Sequence, residues 1–496
     1  MSPPNRTHVL KSQKITGLVL LSVLLLAASF QARERTPGGE KRLSSIPVRE
    51  ANNDPHPYPW PESSPEEQGL DSSVLGQMFD QALKLGYVNS VLIVRNGRLV
   101  GERYYKGRDR FYTDLIASAS KSYLDPLIGI ALSRRFLSSL DQKVVDFFPE
   151  FRASVQDRRI LDITIRHLLQ MRAGYPFDPD GDAFNRAING DNCMKSALLW
   201  PLAADPGRTW GYSTLSSHLL SGIITKSTGM STFDFAKAYL FDPIGVSIQN
   251  WDRDRQGYYV GGATMSFSPR DMARFGYFYL SDGVADGLRI LPAGWVANST
   301  RKYSDRVTWF QKHFTDFGYG FHWWLARAAG VEVFFALGHG GQNILVAPEL
   351  QMVIVTTADW NISPQQSGIQ INAIFDLILN YLVAPIKALE GPSPYFPADV
   401  RGRKMRNSGL AYREYINILS WKPNPRNAAE RIVKYKIYKR PGDYLQFLAE
   451  VDAGTLEYLE RRVGKSALYT YAISALTADG RESVPAYVST GSPVGW

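Results

Sequence analysis

Cysteine is nearly absent from this chain: Cys193 stands alone in 496 residues. A single thiol excludes an intrachain disulfide, a thiolate zinc cluster and a CxxC redox pair. Cys193 lies in the polar stretch Asn192-Cys193-Met194-Lys195, where nothing local favours a thiolate, so it reads as an ordinary thiol. The sequence has no HExxH and no other ligand set for a catalytic metal, so no metal and no cofactor is expected. Dense basic blocks are missing too. The formal charge is +9, but Lys and Arg are dispersed apart from short runs such as 401–404. That argues against a nucleic-acid partner. Diffuse positive charge suits an anionic envelope or a carboxylate-bearing substrate equally well. Near the N-terminus, Lys11 and Lys14 precede an apolar run over 15–30. This is the layout of a secretory signal, and it is short for a full membrane span. Ala27, Ala28, Ser29 and Ala32 are candidate cleavage points, and no cysteine follows that would carry a lipid. Residues 1–32 are therefore expected to be a signal peptide or an uncleaved N-terminal anchor. The rest is expected to be exported, periplasmic or secreted, and to meet a membrane only through that segment.

The remaining composition, 44% hydrophobic and 21% charged, is that of a globular protein long enough for two or three domains. Residues 33–60, rich in proline, serine and charge, read as a linker. Apolar spacing predicts a helix over 72–85. Two apolar runs flanking Asn96-Gly97 predict an antiparallel hairpin. From about 120 to 300 the pattern is mostly helical. Short helices are expected at 163–171 and at 217–226, and another starts at Ser268-Pro269 with Ser268 as N-cap. Its aromatic residues Phe275, Tyr277, Phe278 and Tyr279 read as core. Strands are predicted at 331–337, 343–347 and 352–357, then a long helix over 369–383. The expected class is α+β: an antiparallel sheet built from both ends of the domain, flanked by helices, with a mostly helical subdomain inserted between its halves.

Gly391-Pro392-Ser393-Pro394 marks a boundary between a domain at 61–390 and one at 395–496. In the latter, strand patterns recur at 415–421, 431–439, 444–451 and 469–476. Tyr469, Tyr471, Ile473 and Ala475 alternate with Thr470, Ala472 and Ser474, as on one face of a sandwich strand. With Trp421 on an early strand, this region resembles a fibronectin type III module. Docking or spacing, including contact with cell-wall material, is the role expected of it.

The chemistry points to Ser118-Ala119-Ser120-Lys121, just before an apolar run at 123–132 that reads as a helix. A serine and a lysine three apart share one helix face. If Ser118 opens the helix, its hydroxyl, its backbone N–H and the Lys121 amine converge, which suits attack on a carbonyl. Two later motifs accompany it: Trp210-Gly211-Tyr212-Ser213-Thr214 in a loop before a helix, and Gly338-His339-Gly340-Gly341-Gln342 between two strands. Gly340 and Gly341 would let a substrate approach the backbone.

Taken in this order, the three motifs resemble those of the serine β-lactamase-related hydrolases, in the class C β-lactamase, penicillin-binding-protein and esterase branch. The stretches 63–70 and 163–169 fit the same family, and the resemblance spans about residues 60–385. It implies a β-lactamase-like fold and a catalytic set of Ser118, Lys121, Tyr212 and His339. Ser118 would be the nucleophile, Lys121 its base and Tyr212 a phenolate-leaning proton carrier. A lysine near 10.4 must be largely deprotonated by burial and neighbouring positive charge to serve near neutrality. His339 stands where many relatives carry a lysine, and the N–H groups of Ser118 and Gln342 match the oxyanion hole. Thr214 replaces a frequent asparagine, and His339 turns a fixed charge into a titratable one. Both changes fit esterase-like and peptidase-like relatives better than β-lactam hydrolysis. They also leave open a catalytically inactive protein that binds cell-wall peptides. The expected partner is a small ester, amide or peptide. Its pocket walls are expected from loops 175–192 and 309–322. Tyr175, Phe177, Tyr319 and Trp323 are candidates for an aromatic rim, with Gly340, Gly341 and Thr214 as further substrate contacts. His167 and His218 read as helix-packing residues.

Overall fold

A computed structural model describes residues 60–490, apart from 305–306, 308–309, 311, 387–393, 409–412, 428–430, 441–445, 479 and 484. The expected N-terminal segment at 1–32, nearly all of the linker and part of the Gly391–Pro394 boundary lie outside the described residues. Trp60 is the exception: it is buried, and its ring meets Tyr277 edge-on at 5.7 Å.

Helix α1 (Ser72–Leu85) starts where Asp71 accepts from the N–H groups of Ser73 and Val74, and it ends at left-handed Gly86. Strands β1 (Val88–Arg95) and β2 (Arg98–Tyr104) form the expected hairpin. Asn96 and Gly97 both have positive φ, as a tight two-residue turn requires. A 3₁₀ turn over Ala117–Tyr123 then leads into α2 (Leu124–Ser133). Next come α3 (Thr214–Thr228) and α4 (Pro269–Leu280), the latter capped by Ser268. Strands β3 (Thr315–Tyr319), β4 (Trp324–Ala328), β5 (Val331–Gly338), β6 (Gln342–Ala347) and β7 (Met352–Ala358) follow, then α5 (Pro364–Ile378).

The seven strands make one antiparallel sheet in the order β2-β1-β7-β6-β5-β4-β3. The N-terminal hairpin thus joins the late strands by pairing β1 with β7. Side chains alternate between two cores. Leu92, Val94, Ile344, Val346, Val353 and Val355 face α4 and the helical subdomain. Val91, Ile93, Leu345 and Ile354 face the other way, onto α1 and α5. Phe275, Phe278 and Tyr279 of α4 are core residues.

Beyond the sheet domain, β8 (Ala398–Ser408), β9 (Arg413–Lys422), β10 (Ile432–Lys439), β11 (Gln446–Asp452), β12 (Glu457–Glu460), β13 (Tyr469–Thr477) and β14 (Ala486–Thr490) form two antiparallel sheets. Their orders are β8-β9-β12 and β11-β10-β13-β14. Leu419, Trp421, Tyr435, Ile437, Tyr471 and Ile473 share their core. These sheets meet the first domain at a hairpin over 284–289: Arg440 pairs with Asp286 at 3.2 Å, and Ser489 Oγ donates to the Gly287 carbonyl. Tyr395 adds a hydrogen bond to Glu332 of β5.

Candidate active site

Ser118 and Lys121 sit on the 3₁₀ turn rather than on the α-helix that the apolar run suggests. An i to i+3 period stacks residues three apart more closely than an α-helix does. The turn is entered through Ala117, whose φ of +45° is unusual for a residue with a Cβ. It is held from two sides. Ile116 N–H donates to Met265 O, and Met265 N–H donates to Ser120 Oγ. On the other side Gly338, at the end of β5, is so close that a Cβ there would lie 2.1 Å from the Ile116 carbonyl.

Lys121 is 1% exposed. Its Nζ is 3.1 Å from Ser118 Oγ and donates to the Gly262 carbonyl at 2.8 Å. Burial pulls its pKa down to about 7; the Asp178 carboxylate opposes that shift. The nearby imidazole of His322 is driven down to about 3 by burial and so stays neutral. Burial alone therefore supplies the deprotonation that the sequence reading assigned partly to a neighbouring cation. Tyr212 lies across Lys121, with Nζ 5.0 Å from its ring centre, and its hydroxyl is hydrogen-bonded to Ser118. Burial pushes this phenol well above its usual range, which corrects the phenolate-leaning expectation: Tyr212 is a neutral phenol. Ser118 hydroxyl, Lys121 amine and Tyr212 hydroxyl thus come together from the first and second motifs.

Of these three groups, Ser118 lines a cleft of about 460 Å³. Ser118, Thr214 and His339 line it, so the third motif reaches the same site. His339 Nε2 donates to the Ile362 carbonyl at 2.9 Å, and burial lowers its pKa, so it brings no fixed charge. Gly340 and Gly341 do not line the cleft. A Cβ on Gly340 would strike the Asp359 carbonyl at 2.3 Å, and one on Gly341 would strike Ile374 of α5 at 2.3 Å. These glycines let the turn pack on its far side instead of admitting a substrate. Gln342, whose backbone N–H was expected in the oxyanion hole, is the first residue of β6. Gln342 is fully buried, pairs with Gly338 in the ladder, and turns its amide to the Ala358 backbone of β7. Ser118, the other expected oxyanion donor, is the second residue of the 3₁₀ turn and lines the cleft.

The aromatic-rim expectation fails for a similar reason. Tyr319 is 1% exposed and packs behind Tyr212, with Trp324 and Trp210 completing the cluster. Tyr175 is buried, and Trp323 stacks on Phe275 in the core. Phe177 is half exposed but leans on Trp210 outside the cleft. Of the two loops expected as walls, 175–192 supplies Pro179, Asp180, Gly181, Phe184 and Asn185. No described residue of 309–322 lines the cleft. The opposite wall is a strap that sequence reasoning missed, with Asn250, Asp252, Thr264 and Ser266. Its polar, turn-rich text carries no motif that could have marked it.

One further cluster joins Cys193, His218 and Asp254, all buried. Its ring nitrogens are already engaged: Gly261 N–H donates to His218 Nδ1, and Nε2 lies 3.1 Å from Asp254.

Comparison with known proteins agrees with this architecture. The β-lactamase family model matches residues 77–376. The chain is 25% identical over 305 residues to the 6-aminohexanoate-dimer hydrolase of Paenarthrobacter ureafaciens, covering 57% of this chain and 75% of that protein. Among solved structures it is similar to a Bacillus anthracis protein provisionally named a 6-aminohexanoate-dimer hydrolase, with TM-score 0.52, 22% identity, and coverage of 63% of this chain and 82% of that one. EstCE1, a hydrolase with promiscuous acyltransferase activity, gives TM-score 0.50 at 19% identity over 62% of this chain and 98% of its own. With a family match over more than half its length and the same sheet-and-helix fold, this chain belongs to the β-lactamase family of hydrolases.

Proposed function

We propose that this chain is an exported serine hydrolase that cleaves an ester or amide through an acyl-enzyme on Ser118. The observation that carries the reading is a buried amine, near neutrality at about 7, with Nζ 3.1 Å from a hydroxyl that lines a cleft. Neutral Lys121 takes the Ser118 proton as Oγ attacks the carbonyl carbon. The oxyanion forms against the N–H groups of Ser118 and Gln342. One such donor is typically worth about 3 kcal/mol in the transition state. Tyr212, a neutral phenol, passes its proton to the leaving group while it receives the proton held by Lys121. Water then enters by the reverse route and releases the acid.

The cleft walls favour particular substrates. Among its described lining residues are the carboxyls Asp180 and Asp252 but no Lys or Arg, and His339 is neutral. A β-lactam carboxylate would find no cationic partner there. An uncharged or amine-bearing acyl group fits better, and the acyl half of a 6-aminohexanoate dimer, the substrate named for the Paenarthrobacter relative, ends in an amine. The seven strands in two sheets beyond residue 395 suit a fibronectin type III-like spacer that keeps this domain near cell-wall material outside the membrane.

The test is turnover by the purified protein of p-nitrophenyl acetate, 6-aminohexanoyl p-nitroanilide, D-alanyl p-nitroanilide and nitrocefin. The ester and at least one amine-bearing anilide should turn over, with nitrocefin at least 100-fold slower in kcat/KM. Saturable binding without turnover, or nitrocefin as the best substrate, would overturn the proposal.

A further inference from the structure

Lys121 donates to one backbone carbonyl, that of Gly262, and this carbonyl belongs to the strap at 250–266 that also walls the cleft. A neutral amine has two N–H bonds and one lone pair. Fixing an N–H on Gly262 O decides where the lone pair points. What holds Gly262 therefore sets how well Lys121 can take the Ser118 proton.

The strap is pressed between α3 and Lys121. A Cβ on Gly261 would lie 2.1 Å from the Ser217 carbonyl of α3, and one on Gly262 would lie 3.1 Å from Lys121 Nζ. Behind it stands His218, 0% exposed. Its Nδ1 accepts from Gly261 N–H at 3.3 Å, so the ring proton is on Nε2, which donates to Asp254 Oδ2 at 3.1 Å. The other Asp254 oxygen accepts from the N–H groups of Gln256 and Tyr258, both at 2.9 Å. The chain of bonds runs from Asp254 through His218 to Gly261, and the next residue holds the amine. The His218 ring also meets Phe184 of the opposite wall edge-on at 5.3 Å.

We propose that His218, oriented by Asp254, is a positioning residue that sets the Gly261–Gly262 strap and so aims the Lys121 amine at Ser118. The inference rests on the reading of Lys121 as the base. It goes beyond that reading by assigning the base's orientation to a buried pair that touches neither substrate nor Ser118.

Two variants of comparable size separate the two bonds of the ring. In His218→Asn the amide oxygen replaces Nδ1 and can still accept from Gly261. In His218→Gln the longer amide replaces Nε2, keeping Asp254 and losing Gly261. The readouts are kcat and KM for p-nitrophenyl acetate from pH 5 to 9, the rate of Ser118 labelling by a fluorophosphonate, and thermal melting. His218→Asn should stay within about fivefold of the parent in kcat, with the same acid limb. His218→Gln should fall at least 30-fold in kcat, with KM within about threefold and a displaced acid limb. A role in packing alone would make activity follow melting temperature and leave the acid limb in place. The proposal is overturned if both variants keep the parental acid limb, or if both lose activity equally. Ser118→Ala measured in parallel separates this from the underlying reading: if it hydrolyses the ester at the parental rate, the acyl-enzyme account has failed, whatever His218 does.

Discussion

Replacing Lys121 by methionine removes a buried amine whose pKa lies at about 7 against an ordinary value of 10.5. That difference corresponds to about 5 kcal/mol of penalty for holding the charged form in the fold. The sign follows from proton binding. Between pH 7 and 10.5 the unfolded chain binds more protons than the folded one, so this site makes stability rise with pH. Below pH 7 the penalty is fully present. Methionine abolishes it but leaves the Gly262 carbonyl without the Lys121 amine, at a cost of about 1–3 kcal/mol. Lys121→Met should therefore be the more stable protein at pH 7, by about 2–4 kcal/mol, and the inactive one. Its advantage should shrink by about 2 kcal/mol between pH 7 and 9 as the parent sheds its proton. Urea unfolding of both proteins at pH 7, 8 and 9, followed by tryptophan fluorescence, reads this directly. A stability difference that stays constant across that range would refute the buried, near-neutral amine.

Other consequences follow from the same geometry. Tyr212→Phe keeps the ring against Trp324 and removes only the hydroxyl, so kcat should drop by about 100-fold with KM within a few fold; an unchanged kcat would remove Tyr212 from proton transfer. Asp180→Asn should raise KM for an amine-bearing anilide about tenfold, or about 1.4 kcal/mol, and leave p-nitrophenyl acetate unaffected; equal effects on both would argue against a charge role. Gly261→Ala forces a methyl toward the Ser217 carbonyl and should cost about 1–3 kcal/mol in urea unfolding, with loss of activity at temperatures where the fold persists.

Much of the scaffold was legible because local signals and burial agree. The 72–85 periodicity, the Asn96-Gly97 turn, the Ser268-Pro269 cap and the strands at 331–357 each match an element within a few residues. The Ser118, Lys121, Tyr212 and His339 neighbourhood was legible through spacing and order along the chain. What escaped depends on contacts distant in sequence. The backbone of Ala117 and the burial of Tyr319 behind Tyr212 are both decided by packing partners. Glycines illustrate the limit: Gly340 and Gly341 look like room for a ligand, but their missing side chains accommodate Asp359 and Ile374. Strands β8, β12 and β14 were missed because β12 and β14 are short and all three are of mixed composition with little alternation.

Mass spectrometry of the intact protein after fluorophosphonate treatment, with peptide mapping across pH 5–9, addresses the central assignment most directly. The account predicts a single adduct on Ser118, formed at a rate that climbs with pH and levels off above about 7, and absent from Ser118→Ala and Lys121→Met. An adduct on another residue, or labelling of Ser118 that is indifferent to Lys121, would contradict it.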